Sequence, residues 1–185
     1  MAVWIYTSGT TGTPKAAMHR HRTMVAGGNY AASIVGLHAD DRILATSRLF
    51  FAYALGNALL NPLLARATAC LVDEWPTVET LGALLREHRP TLLFSVPTFY
   101  ARVLAGELPA DALASVRVCV SAGERLPAEV YRAWGERFGL EILDGIGATE
   151  TIFMVLSSRA GASRPGTTGG PVPGSEVRLL DEHRA

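Results

Sequence analysis

An α/β fold with a mostly parallel sheet, helices on both faces and the start of a small antiparallel β element at the C-terminus is what this sequence predicts. Three observations carry the prediction. Short, apolar, β-branched-rich runs alternate with longer helix-like segments, the pattern of βαβ units whose parallel sheet is covered on both sides. Polar, glycine-containing motifs stand at the ends of several of those runs, where open α/β sheets collect their ligands. Only 18% of the 185 residues are charged, below the usual share of about 25%, so the chain has ample apolar material for a core.

Strands are expected at 3–7, 42–46, 68–72, 91–96, 116–121, 141–146 and 152–156, each short and apolar enough for a buried position. Helices are expected at 19–35, 54–65, 78–87, 98–105 and 128–138. Thr77 suits an N-cap, Pro127 the start of the next helix, and Gly139 its C-terminal stop. After Ser157 the composition changes. Residues 159–174 are rich in Gly, Pro, Ser and Thr, and 176–181 alternates like a strand. The resulting division is 1–40 as a strand–loop–helix, 41–158 as an α/β unit, and 159–185 as a loop with the first strand of a separate β element.

Lys and Arg total 17, as do Asp and Glu, so the formal net charge is zero. Such a balance gives no electrostatic footprint for nucleic acid or anionic lipid. Every apolar stretch is interrupted before the length of a membrane span, and the N-terminus lacks the basic region of a secretory signal. Cys70 and Cys119 stand alone in strand-like segments, which suits buried free thiols rather than a zinc site. A cytoplasmic location is expected.

The chemistry concentrates in two motifs. Thr7-Ser8-Gly9-Thr10-Thr11-Gly12 ends in Thr13-Pro14-Lys15 directly behind an apolar run. Glycines let the backbone approach a ligand closely, while hydroxyls, N–H groups and an ammonium favour phosphate oxygens. The spacing is not that of a Walker A loop, and a flexible linker seldom carries a single Pro-Lys exit followed at once by a helix-like segment, as is expected here. The second motif is Asp144-Gly145-Ile146-Gly147-Ala148-Thr149-Glu150, a turn ending on a hydroxyl and a carboxylate. One carboxylate beside a phosphate cradle is a common way to hold Mg²⁺. No Gly-x-Ser-x-Gly nucleophile elbow occurs. His19 and His21, two apart, lack the i, i+4 spacing of a helical metal pair.

Together these motifs resemble those of the adenylate-forming superfamily, with Ala16 where that family usually has glycine. The Asp-Gly-Ile-Gly wording, Leu49–Asn57, Ser121–Pro127 and Gly166–Gly174 narrow the resemblance to benzoate-CoA ligase-type enzymes. It implies that Lys15 and residues Thr7–Gly12 hold phosphates and that Thr149 touches the α-phosphate. It further implies that Glu150 binds Mg²⁺ and that Ala122, Gly123, Glu124 and Asp144–Gly147 border the adenine. The implied acyl pocket comprises Ala52, Tyr53, Ala122, Gly147, Phe153 and Met154. Benzoate-type ligases commonly have histidine in the place of Phe153. His21 occupies a position where the family often has histidine, and a structural role behind the loop is expected for it.

The implied activity is ATP-dependent conversion of a carboxylic acid, expected to be aromatic, into an acyl-adenylate and then a thioester of coenzyme A. Family members also carry segments before and after the stretch represented here, so little activity is expected of this chain alone. An aryl-acid adenylation domain that loads a carrier protein stays open, as do a catalytically silent nucleotide-binding module and a homo-oligomer.

Overall fold

The structure, a computed structural model, describes residues 1–7 and 12–181. Five short strands lie parallel in its centre: β3 (Arg42–Ala45), β4 (Thr68–Cys70), β5 (Leu92–Ser95), β6 (Val118–Ser121) and β7 (Ile142–Gly147), in the spatial order β4-β3-β5-β6-β7. β8 (Met154–Ser157) and β9 (Gly170–Pro171) extend the β7 edge antiparallel. Each parallel strand alternates its side chains between two apolar layers, as period-two geometry requires. Leu44, Leu93, Cys119 and Ile142 face one layer, formed with Leu81, Leu85, Phe99, Tyr100, Val103 and Trp134. Those partners lie on α4 (Val78–His88), α5 (Pro97–Ala105) and α6 (Ala128–Phe138). Ile43, Leu92, Phe94, Val120 and Leu143 face the other, against Tyr30, Ile34, Val35 and Ala58. The first three of these belong to α1 (His21–Tyr30) and the π-helical turn Ala31–Val35 that continues it. Ala58 lies in a second π-helical turn, Gly56–Leu60, between α2 (Ala52–Leu55) and α3 (Asn61–Ala65).

The boundary residues act as expected. Thr77 accepts from the Thr80 N–H while Thr80 reaches back to the Thr77 N–H, a reciprocal capping box for α4. Pro127 immediately precedes α6, and Gly139 ends it at φ +68°. At the amino edge of the sheet, Asp41 is fully buried and binds Arg117 through 2.6 and 3.0 Å contacts. Thr91 Oγ1 (2.6 Å) and the His38 N–H (3.0 Å) also donate to it. Burial alone would raise the Asp41 carboxyl, but these donors outweigh it and hold the group down at about 2. Arg117 also donates to the Val35 and Gly36 carbonyls, so it ties the end of the π-turn to the strand starts.

Three expectations need correction. The segment after the phosphate motif is not the start of a helix but a strand, β2 (Lys15–His19), paired antiparallel with β1 (Val3–Thr7) in a separate two-stranded sheet. The phosphate motif therefore spans a hairpin rather than the end of a parallel strand, and α1 begins only at His21. Ala16-Ala17-Met18 favours helix by propensity, but pairing with β1 overrides it. The expected strand at 176–181 is irregular, because no strand pairs with it among the described residues. Finally, His21 is exposed at the first position of α1, and it is His19 that is buried.

Candidate active site

The sheet register brings two of the motifs together. Ser121 stands opposite Asp144 on neighbouring parallel strands, so Ala122–Glu124 leaves the sheet beside Gly145–Gly147, which ends β7 against β8, and the Ala148–Glu150 turn follows. Ala122 is buried, whereas Gly123 and Glu124 are exposed, and Gly123 turns the chain at φ +91°. The Glu124 carboxylate accepts from the N–H and the hydroxyl of Thr98 at the N-terminal turn of α5. Its side chain thus fixes the loop while its backbone remains open. Ile146 and Gly147 are exposed, and Gly145 is buried beneath them.

Asp144 is only 7% exposed, and its Oδ1 has no hydrogen-bond partner among the described residues. Burial pushes its carboxyl from 3.8 up to about 6, and the Ser121 hydroxyl and the Gly145 N–H offset this only in part. An orphaned acceptor of this kind suits a ligand that brings an N–H donor, such as an exocyclic amine.

A cavity of about 180 Å³ opens next to this edge. All six residues expected of an acyl pocket line it: Ala52, Tyr53, Ala122, Gly147, Phe153 and Met154. A comparable engineered apolar cavity of about 150 Å³ accepts one benzene ring, so the space matches a single-ring acid. Tyr53 contributes its ring, because its hydroxyl is turned to the Ser95 and Val120 carbonyls at 3.1 and 3.0 Å. Burial raises that phenol well above its ordinary value, which keeps it a neutral donor. Phe153 lies with its ring against Gly27 and Gly56, the glycines leaving room that a Cβ would fill. It also borders a second cavity of about 270 Å³, lined in addition by Thr23, Tyr30, Glu150 and Thr151. Phe153 and Met154 separate the two spaces.

The pocket residues named from the sequence left out Ala148 and Ile152, and also Asn57 and Phe51, although the last two lie in the Leu49–Asn57 stretch that the resemblance made one wall of the pocket. Asn57 could have been found from its i, i+4 spacing to Tyr53, whose carbonyl accepts from its Nδ2 at 2.9 Å. Ile152 gave no signal. It adopts φ +61°, a conformation rare for a β-branched residue, at the close of the turn after Glu150.

Thr149 is half-buried; Glu150 is exposed and makes no hydrogen bond or ion pair among the described residues. Lys15, at the start of β2, is exposed too, and its side chain makes no hydrogen bond or ion pair among the described residues. Thr7 is half-buried at the end of β1, and Gly12 turns at φ +77°. Ser8, Gly9, Thr10 and Thr11 lie outside the described residues. Among the described residues no group of three His, Cys, Asp or Glu gathers. A divalent cation here would rest on Glu150 together with ligand phosphates and water, which fits the coordination habits of Mg²⁺.

The family described as AMP-binding enzyme matches residues 1–185. The chain belongs to this family. Within it, the chain is 46% identical over 184 residues to a benzoate–CoA ligase of Thauera aromatica, covering 98% of this chain and 35% of that one. The structure of a benzoate CoA ligase from Burkholderia xenovorans superposes with a TM-score of 0.92 at 46% identity, over 98% of this chain and 37% of the other. An anthranilate CoA ligase in complex with anthranoyl-AMP superposes at 0.89 with 35% identity, over 98% and 36% of the two chains. The chain thus spans about a third of the length of these AMP-binding relatives, and its sheet with flanking helices is the fold they share.

Proposed function

We propose that this chain is the nucleotide- and acyl-binding part of an AMP-forming acid–CoA ligase acting on a single-ring, predominantly apolar carboxylic acid. One observation carries the reading. A ring-sized, mostly apolar cavity is lined by Gly147, Ala148 and Thr149, on the stretch of chain that joins buried Asp144, with its free acceptor, to exposed Glu150. Tyr53, Ala52, Phe153 and Met154 would hold the ring, and Ala122 and Gly147 would leave the flat approach that only small residues allow. Asp144 would receive the adenine amine, with Gly123, Glu124 and Ile146 bordering the base. Lys15, Gly12 and Thr7, with Ser8, Gly9, Thr10 and Thr11 of the same motif, would clamp the β- and γ-phosphates, and Thr149 would meet the α-phosphate.

In the reaction, the acid's carboxylate oxygen attacks the α-phosphorus and pyrophosphate leaves. The thiol of coenzyme A then displaces AMP to give the thioester. Mg²⁺ on Glu150 would supply charge neutralisation at the phosphates. The residues of this chain bind and orient rather than exchange protons, so catalysis here is positioning and electrostatics.

Calorimetric titration with ATP, with and without Mg²⁺, tests the reading. Saturable but weak, Mg²⁺-dependent binding is expected, with little pyrophosphate released when aromatic acids are added. Support for that low activity comes from the length of the relatives, of which this chain represents about 35%. Rapid pyrophosphate release would overturn the low-activity statement, and failure to bind Mg·ATP at millimolar concentration would overturn the nucleotide site.

A further inference from the structure

The two halves of the candidate phosphate site come from chain segments more than 130 residues apart and from different sheets. Lys15 stands on the β1–β2 hairpin, and Thr149-Glu150 stands on the turn between β7 and β8. Among the described residues, the contacts between the hairpin and that turn include one polar contact and one apolar cluster. His19 is 2% exposed, and its Nε2 lies 2.8 Å from the Thr149 carbonyl oxygen. A carbonyl only accepts, so Nε2 carries the hydrogen and donates. Alternation along β2 places His19, Ala17 and Lys15 on the same face of the hairpin. On that face Ile5, opposite Ala17, packs with Ile152 and Phe153.

The turn that receives this contact is itself constrained. Thr151 and Ile152 donate their N–H groups to the Ala148 carbonyl, and Thr151 Oγ1 bonds back to the Ala148 N–H. Ile152 holds its unfavourable positive φ with its side chain buried against Ile5. Strained conformations of this kind persist where surrounding contacts over-determine them.

We infer that His19 is a positioning residue: its Nε2–H donation to the Thr149 carbonyl sets the Lys15 hairpin at a fixed distance from the Thr149-Glu150 turn. The inference rests on the nucleotide reading above. The structural role that the sequence suggested for His21 belongs instead to the histidine two residues earlier.

The test compares His19→Leu, which removes the donor, with His19→Gln, whose amide can supply an N–H at similar reach. In the unmodified chain the Kd for ATP is measured with and without Mg²⁺. His19→Leu should weaken Mg·ATP binding about tenfold and reduce the gain that Mg²⁺ confers, whereas His19→Gln should recover most of both. The recovery separates positioning from general loss of packing. A folded His19→Leu protein that binds Mg·ATP as the parent does, or a Gln variant as impaired as the Leu variant, would overturn the inference. Amide hydrogen exchange at Thr151 and Ile152 decides the coupling independently of nucleotide. Exchange there should accelerate in the Leu variant and not in the Gln variant, and unchanged exchange would refute the coupling. If the unmodified chain ignores Mg·ATP while the exchange pattern holds, the nucleotide reading fails and the hairpin–turn coupling stands.

Discussion

Gly27 lies in the middle of α1, where glycine costs helix stability, and the reason it is there is the ring of Phe153. A Cβ built at Gly27 would lie 2.0 Å from Phe153 Cζ, and one at Gly56 would lie 3.0 Å from the same ring. The two glycines are therefore the seat of a side chain that walls the acyl cavity. Gly27→Ala should destabilise the chain by about 1–3 kcal/mol through overpacking. In a Phe153→Ala background the sign should reverse, because the obstruction is gone and alanine is the better helix former by about 1 kcal/mol. Urea unfolding of the four proteins in the cycle measures this directly, and additive effects would refute the seat. The place of Phe153 beside the cavity was implied by the family resemblance. Its seat was not, since nothing in the sequence relates position 27 to position 153.

At the scale of elements, a buried polar row crosses the sheet near its carboxyl edge. Thr46, just past β3, lies 2.7 Å from Ser95 through their hydroxyls; Ser95 stands opposite Ser121, and Ser121 opposite Asp144. The row ends on the one carboxylate, and that group carries a pH signature. Its folded value of about 6 lies above its ordinary 3.8, so the folded state keeps its proton while the unfolded chain gives it up. Stability should therefore fall as pH rises from about 4 to about 6 and stay reduced above that. Asp41 acts in the opposite sense and lower down, losing its contribution as pH falls from about 4 towards 2. Asp144→Asn should flatten the pH 4–6 slope and make the protein more stable than its parent at pH 7.5, by denaturant titration at several pH values. An unchanged slope would place the titrating group elsewhere. The parallel strands of this sheet were legible because apolar runs between helix signals leave few alternatives, whereas β9 lies in the stretch read as a loop. β2 was not legible, because its residues favour helix and only the long-range partner β1 makes them a strand. The 176–181 segment fails the other way: it alternates correctly, but Leu179 stays 97% exposed with no strand beside it.

At the scale of the whole molecule, the cavity wall was the most legible feature and the phosphate hairpin the least. Ala122 follows β6 and Gly147 ends the neighbouring parallel strand β7, so βα alternation already placed them near one edge. The hairpin belongs to another sheet and reaches the site through His19 and Ile5, contacts that no periodicity announces. The cavity also decides what kind of acid should fit. Its one amide, Asn57, spends Nδ2 on the Tyr53 carbonyl and Oδ1 on Asn61, and the Tyr53 hydroxyl is turned to backbone carbonyls. A ring hydroxyl entering this space would lose water and find only the second Asn57 N–H and the spare oxygen lone pairs of these groups; where it does not reach them the penalty is about 1–3 kcal/mol. Replacing the matching stretch of the Thauera aromatica benzoate–CoA ligase with this chain puts that argument to a test, since the two are 46% identical over 184 residues. The hybrid should form thioesters from single-ring acids without polar substituents. Its kcat/KM for hydroxybenzoates should be lower than for their unsubstituted counterpart by about 10- to 100-fold, the rate equivalent of that penalty. Phe153→His in the hybrid should narrow the gap by returning a polar group to the wall. Equal turnover of both acid types would show that polar substituents find partners in the cavity and would remove the apolar-acid reading, while leaving the nucleotide site untouched.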